Sequence, residues 1–69
     1  MNEKIYVVVY KDIYGKESYV DKEGHLCQDA VTMSQGEANE AKDLAYEDSA
    51  DIVKELVDKG REEFVIEEF

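Results

Sequence analysis

Apolar and polar positions change their spacing along the chain, and each spacing predicts a different element. Residues 5–10 form a run of β-branched and aromatic side chains, which is typical of a central strand. Gly15 marks a turn, and residues 17–21 predict a second strand. A tight turn ending at Gly24, which is free to adopt a positive φ, leads to residues 25–31. This third segment fits either a strand or an irregular edge.

A long segment with helical periodicity follows these strands. Ser34 and Glu37 have the spacing of a capping box, which predicts that a helix begins after Ser34. Residues 35–59 contain no Pro, and Gly60 has the position of a left-handed C-cap. One continuous helix is therefore expected. Its sheet-facing stripe is predicted to contain Ala38, Ala41, Ala45, Ser49, Ile52 and Leu56.

The last nine residues complete the predicted architecture. Residues 61–69 contain the apolar run Phe64-Val65-Ile66, which predicts a final strand. The order β-β-(β)-α-β indicates an α+β fold in two layers, with one amphipathic helix on a small, mostly antiparallel sheet. We expect residues 1–69 to form a single domain, because so short a chain has no room for a second core.

One helix covers only one face of such a sheet, so the other face needs its own explanation. The face toward the helix is predicted to carry Ile5, Val7, Val9, Phe64 and Ile66. An ordinary uncovered face would carry charged residues. This one would carry apolar and aromatic side chains, which predicts a homodimer or partner interface. The residues of that predicted oligomer face are Tyr6, Val8, Tyr10, Val65 and Phe69.

Composition narrows the classes of partner. The chain has 18 acidic and 8 basic residues, a net charge of −10, which excludes ordinary binding to nucleic acid or to an anionic membrane. A hydrophobic content of 43% is enough to favour a folded core over disorder. The single cysteine, Cys27, forms no internal disulfide and suits a reducing compartment. Residues 5–10 are too short for a signal or a membrane span, so we expect a cytoplasmic protein.

Residues that could support catalysis or metal binding are few. His25 and Cys27 supply two ligands, whereas zinc needs three or four. Every serine would have to share the single His25 for nucleophilic catalysis. Paired carboxylates act as acid and base only in a cleft, and a sheet with one helix offers little concave volume. We therefore expect a protein that is not an enzyme and that needs no metal or cofactor.

The strongest feature is an acidic face on the predicted helix. Residues 35–69 contain twelve acidic and four basic residues, a net charge of −8. Carboxylates opposite the apolar stripe would extend over roughly 27 Å of helix. They repel one another at helical spacing, whereas a surface optimised for stability would alternate the two signs. The residues of this acidic face, taken as the partner-binding site, are Glu40, Asp43, Glu47, Asp51, Glu55 and Asp58.

Two interpretations of the acidic face remain open. Such a face is either a solvated surface that keeps the protein soluble, or a set of carboxylates that imitate phosphates and occupy a basic groove on a nucleic-acid-binding protein. In size and charge the chain resembles the small acidic inhibitors that phages encode: anti-CRISPR proteins, restriction inhibitors and uracil-DNA glycosylase inhibitors. The join from Asp29-Ala30 to Ser34-x-x-Glu37-Ala38 and the short acidic last strand are also similar to phage-like proteins.

The resemblance matches no motif of any one family, so no functional residue is transferred from it. It implies a non-enzymatic acidic module that binds a basic nucleic-acid-binding protein and blocks it. The alternative is a homo-oligomeric structural or accessory protein, in which the acidic surface only confers solubility.

Overall fold

The structure, a computed structural model, describes residues 4–69. The elements are β1 (Tyr6–Lys11), β2 (Glu17–Val20), β3 (Leu26–Cys27), α1 (Gln35–Glu47), α2 (Asp51–Asp58) and β4 (Glu63–Glu68). The four strands form one antiparallel sheet in the order β3-β2-β1-β4, with β1 in the interior of the sheet. The two helices lie between β3 and β4 in the sequence, which confirms the predicted α+β fold.

The two hairpin turns repeat one hydrogen-bonding arrangement. In each, an aspartate carboxylate accepts backbone N–H bonds of 2.9 Å from the residues two and four positions later. The aspartates are Asp12 and Asp21, and each loop ends on a left-handed glycine, Gly15 (φ 82°) or Gly24 (φ 85°). The bonds from the backbone N–H groups of His25 and its neighbours lower the pKa of Asp21, because they stabilise its ionised form.

The third segment is a strand only in part. β3 is limited to Leu26–Cys27, which pairs with β2. Beyond a stretch without regular structure, Met33 rejoins the sheet through two backbone hydrogen bonds of 2.9 Å with Tyr6. The chain therefore reaches the start of α1 while it is attached to the central strand.

Both predicted helix-terminal signals are confirmed. The backbone N–H of Ser34 donates to Glu37 Oε1 at 3.0 Å, and the backbone N–H of Glu37 donates to Ser34 Oγ at 3.2 Å. This reciprocal pair is the capping box. At the end of α2, Gly60 has φ 74°, and the N–H groups of Gly60 and Arg61 donate to carbonyls three and five residues earlier, at 3.0 and 2.8 Å. These two bonds form a Schellman motif.

The prediction of one continuous helix is wrong, because residues 48–50 interrupt it. Ala50 has an extended conformation (φ −61°, ψ 154°) and is the N-cap of α2. Ser49 Oγ donates a hydrogen bond of 2.6 Å to the Ala45 carbonyl. Short polar side chains such as those of Asp48 and Ser49 compete with the backbone for hydrogen bonds and weaken a helix interior.

The length of the sheet gives a second reason for the interruption. α1 is about 20 Å long, which matches the ~20 Å of a six-residue strand. An unbroken helix over residues 35–59 would be about 37 Å long and would extend well beyond the end of the sheet. The interruption instead lets Val57 of α2 pack against the core. Ile52, predicted for the sheet-facing stripe, is 61% exposed, so that part of the prediction is wrong.

For β1, but not for β4, the two faces of the sheet are reversed relative to the prediction. The β1–β4 register places Val8 opposite Ile66 and Tyr10 opposite Phe64, so these four side chains share one face of the sheet. That face lies under α1, where Val8 is fully buried. Its main partners in the core are Val20, Ala38, Ala41, Ala45 and Phe64.

The predicted oligomer face is therefore wrong for its three β1 residues. Val8 is in the core, and Tyr6 and Tyr10 pack against it. Which side chains of a strand face the helix depends on the pairing register. That register is set by contacts between residues far apart in the sequence. Because β1 has apolar residues on both of its faces, its sequence did not reveal which face is covered. Phe64 and Ile66 do face α1, as predicted.

The uncovered face carries the alternate residues of β1 together with Val65 and Phe69. Val7 and Val9 are 4% and 2% exposed, although none of the described helices lies on their side of the sheet. Lys11 Nζ lies 3.8 Å from Glu67 Oε2. In the β1–β4 register this ion pair crosses the Val9–Val65 pair, so the aliphatic part of the lysine shields those valines.

Gly24 fixes the distance between the β2–β3 turn and α1. A Cβ on Gly24 would lie 2.7 Å from Leu44 Cβ and 2.8 Å from the Ala45 nitrogen, whereas a Cβ on Gly15 would meet nothing within 4 Å. We expect Gly15→Ala to lower the free energy of unfolding by about 1–2 kcal/mol through left-handed strain alone.

Gly24→Ala should cost this strain and, because it also displaces α1, a further 1–3 kcal/mol or so from overpacking. Urea unfolding of both variants measures the difference, with Gly15→Ala as the matched control for backbone strain. Equal losses would show that α1 does not pack closely on this turn.

Candidate functional site

The six carboxylates of the predicted acidic face are all exposed, in two groups of three. Glu40, Asp43 and Glu47 lie on α1 at spacings of three and four residues, so they share one side of that helix. Asp51, Glu55 and Asp58 lie on α2 with a similar spacing. The interruption at residues 48–50 separates the groups, so they do not form the single straight stripe that was predicted.

Two of these carboxylates have local partners. Glu55 Oε1 lies 2.8 Å from Lys59 Nζ, and Asp58 Oδ1 accepts a hydrogen bond of 2.8 Å from the Tyr46 hydroxyl. The hydrogen bond raises the pKa of Tyr46, because Asp58 stabilises the neutral phenol. Within residues 4–69, no ion pair closer than 4.0 Å involves the other four carboxylates.

A groove of about 510 Å³ lies between α1, the end of α2 and the start of β4. Its apolar part consists of Tyr46, Val57 and Phe64. We call this feature the edge groove. Its charged lining combines four carboxylates with one ammonium group: Asp43, Glu47, Glu62, Glu63 and Lys42. Two members of the predicted acidic face, Asp43 and Glu47, thus converge on an apolar surface that the helical spacing alone does not reveal.

Glu62 is the buried charged residue of the described chain, with 5% of its surface exposed. Its carboxylate accepts hydrogen bonds from the Tyr10 hydroxyl and, at 3.0 Å, from the backbone N–H of Ile13. It therefore joins the β1–β2 turn to the start of β4. Burial first, and then the bond to Glu62, raise the pKa of Tyr10, so the phenol stays neutral at physiological pH.

The Tyr10 ring also stacks on Phe64, with ring centroids 4.9 Å apart. Glu62 accepts a hydrogen bond from Tyr10, and Tyr10 stacks on Phe64, so the three side chains form one connected group beneath the edge groove. We call this group the Glu62 anchor. The sequence contained no signal for it, because Glu62 lies in an acidic stretch where every residue resembles a surface charge.

A second groove, of about 310 Å³, lies on the opposite flank of α1. It contains His25 from the β2–β3 connection, Leu26 of β3 and Val53 of α2. His25 Nδ1 lies 3.8 Å from Glu23 Oε2. Burial, and then two nearby aspartates, raise the pKa of Cys27, which lowers its thiolate fraction and its reactivity. Cys27 therefore lacks the lowered pKa of an activated thiol nucleophile.

No group of three or more metal-ligating side chains is clustered within residues 4–69. In the same part of the chain, neither helix has the length and apolar character that crossing a bilayer requires. Comparison of the chain with models of protein families, with curated proteins and with solved structures gave no match.

The Glu62 anchor makes a stability prediction. Glu62→Ala removes the shared acceptor of the Tyr10 hydroxyl and the Ile13 N–H, and we expect it to lower the free energy of unfolding by about 2–4 kcal/mol. Glu63→Ala removes the same charge from the exposed neighbouring position and should change stability by only about 0.5 kcal/mol. Urea unfolding of the two variants compares them directly. Similar small losses would contradict an anchoring role for Glu62.

Proposed function

We propose that this protein is a non-enzymatic acidic binding module. Its partner is a basic nucleic-acid-binding protein, whose nucleic-acid groove it occupies in the manner of a phage-type inhibitor such as an anti-CRISPR protein. The observation that supports the proposal most directly is the exposed carboxylate surface of α1 and α2, where Glu40, Asp43, Glu47 and Asp51 have no close basic partner in the described chain.

The arrangement suits an electrostatic mechanism. Carboxylates on short helices form a preorganised set of negative charges, which resembles the phosphates that a basic groove normally binds. Self-repulsion of these charges lowers the stability of the free protein, and a basic partner removes that repulsion on binding. Charge also accelerates association, since complementary fields steer the encounter.

Charge reversal at Glu47 and Asp51 tests the proposal. We expect Glu47→Lys with Asp51→Lys to weaken partner binding at least about tenfold, because like charges then face each other across the interface. The matched control is Glu17→Lys with Asp29→Lys, which makes the same change in net charge at exposed positions outside both helices. Equal binding by the two double variants would contradict the mimicry mechanism.

The measurement is a pull-down from bacterial lysate with tagged protein, washed at about 0.1 M and then at about 0.5 M salt. Screening shortens the Debye length from about 10 Å at 0.1 M toward 3 Å at 1 M. A nucleic-acid-binding protein that is released by salt or by competing DNA is the expected result. Its affinities for the wild type and for both double variants are then compared with purified components.

A second candidate function is self-assembly, and the uncovered face of the sheet favours it. Ile5 and Phe69 are 42% and 67% exposed there, and the Phe69 N–H donates to the Ile5 carbonyl at 2.9 Å. These two side chains lie next to Val7, Val9 and Val65 on that face, where Val7 and Val9 are themselves buried. A homo-oligomer formed through this face would use the acidic helices only for solubility.

Self-assembly predicts that Ile5→Ser with Phe69→Ser converts an oligomer into a folded monomer, because both side chains lie outside the core. Sedimentation equilibrium at high micromolar concentration measures the change. The control is Tyr14→Ser, which removes a larger and almost fully exposed ring from a turn and should leave the assembly intact. A wild-type protein that is already monomeric would contradict this candidate.

A further inference from the structure

β4 is an edge strand with a free side. In the order β3-β2-β1-β4 it pairs only with β1, and none of the other strands in residues 4–69 lies beyond it. The Phe69 N–H donates to Ile5, and both backbone groups of Tyr6 are used by Met33. In an antiparallel ladder these bonds alternate, so the N–H and C=O groups of Phe64, Ile66 and Glu68 point away from β1.

This edge lacks most of the features that prevent strand addition. Six consecutive pairs join β4 to β1 without a bulge, and the chain contains no Pro. Charge is the protection that remains. On β4 itself this charge is all of one sign, because the side chains of Glu63, Glu67 and Glu68 are acidic. Of these three, Glu67 forms an ion pair with Lys11 of β1. A second copy that pairs along β4 would place these carboxylates against each other, whereas a basic segment would not.

The edge groove lies along the same edge. One flank of α1 contacts the β2–β3 turn, since Leu44 lies against Gly24. The opposite flank, with Lys42 and Tyr46, therefore lies over β4, and it forms the groove together with Phe64. A segment that pairs with β4 would place alternate side chains in this groove.

We infer that the free edge of β4 and the edge groove receive an extended basic segment of the partner as a fifth strand. The inference rests on the proposed function, for which it supplies the mode of binding. Backbone hydrogen bonds to Phe64, Ile66 and Glu68 provide affinity. The carboxylates of Asp43 and Glu47 bind the ammonium or guanidinium groups of lysine or arginine side chains in that segment. The aliphatic stems of those same lysine or arginine side chains pack against the apolar part of the groove.

A synthetic peptide of alternating lysine and valine serves as the probe. In nuclear magnetic resonance titrations of the full chain, the amide signals of Phe64, Ile66 and Glu68 should shift and exchange more slowly with solvent. The same peptide N-methylated on alternate amides keeps its charge but cannot pair, and it should bind at least about tenfold more weakly. A peptide of alternating glutamate and valine should not bind.

The matched variants are Glu68→Pro and Glu68→Ala. Both remove the same charge, but only the proline removes the outward N–H and blocks the edge. We expect Glu68→Pro to bind the lysine–valine peptide at least about tenfold more weakly than Glu68→Ala does. Preserved dispersion of the remaining amide signals shows that each variant is folded.

Failure of this inference is distinguishable from failure of the proposed function. Equal affinity for the two lysine–valine peptides, with signal changes confined to α1 and α2, would overturn strand addition and leave electrostatic capture intact. Absence of peptide binding would also overturn it, while the charge-reversal comparison still decides the function. Shifts at β4 that depend on protein concentration alone would instead assign the edge to a second copy.

Discussion

The close approach of α1 to the sheet is the constraint on which the rest of the structure depends. Three alanines, Ala38, Ala41 and Ala45, form the buried side of the helix, and their small side chains bring its backbone close to the core. Gly24 permits the same closeness at the β2–β3 turn. A larger side chain at any of these positions would lift the helix and expose Val8 and Val20, the largest of the fully buried side chains in the core.

The close approach of α1 to the sheet also determines where the acidic side chains lie. A helix matched in length to the strands must end near residue 47, and residues 48–50 then separate it from α2. α2 consequently contributes Val57 to the core and leaves its charged side exposed. The edge groove exists because α1, the end of α2 and β4 meet at this corner. The close packing of α1 on the sheet thus stabilises a small core beneath a heavily charged surface.

Some features of the candidate site can be predicted from the local sequence, and others cannot. Exposure of Glu40, Asp43 and Glu47 follows from helical periodicity, and the structure agrees. The role of Glu62 does not follow from local sequence, because its partners Tyr10 and Ile13 are about fifty positions away. Phe64 was predicted to face the helix, whereas Val57 was absent from the predicted apolar stripe. The groove that both residues line depends on the relative placement of three elements.

Local sequence by itself determined the α+β class, the capping box at Ser34, the left-handed C-cap at Gly60 and the acidic surface, because these depend on contacts a few residues apart. Tertiary structure alone decided which face of β1 is covered and which edge stays open, and the length of the sheet added to the local effect of Asp48 and Ser49 in interrupting the helix. Strand parity and helix length are set by pairing register and by the size of the sheet. Both arise from contacts between residues far apart in the sequence, such as Val8 with Ile66.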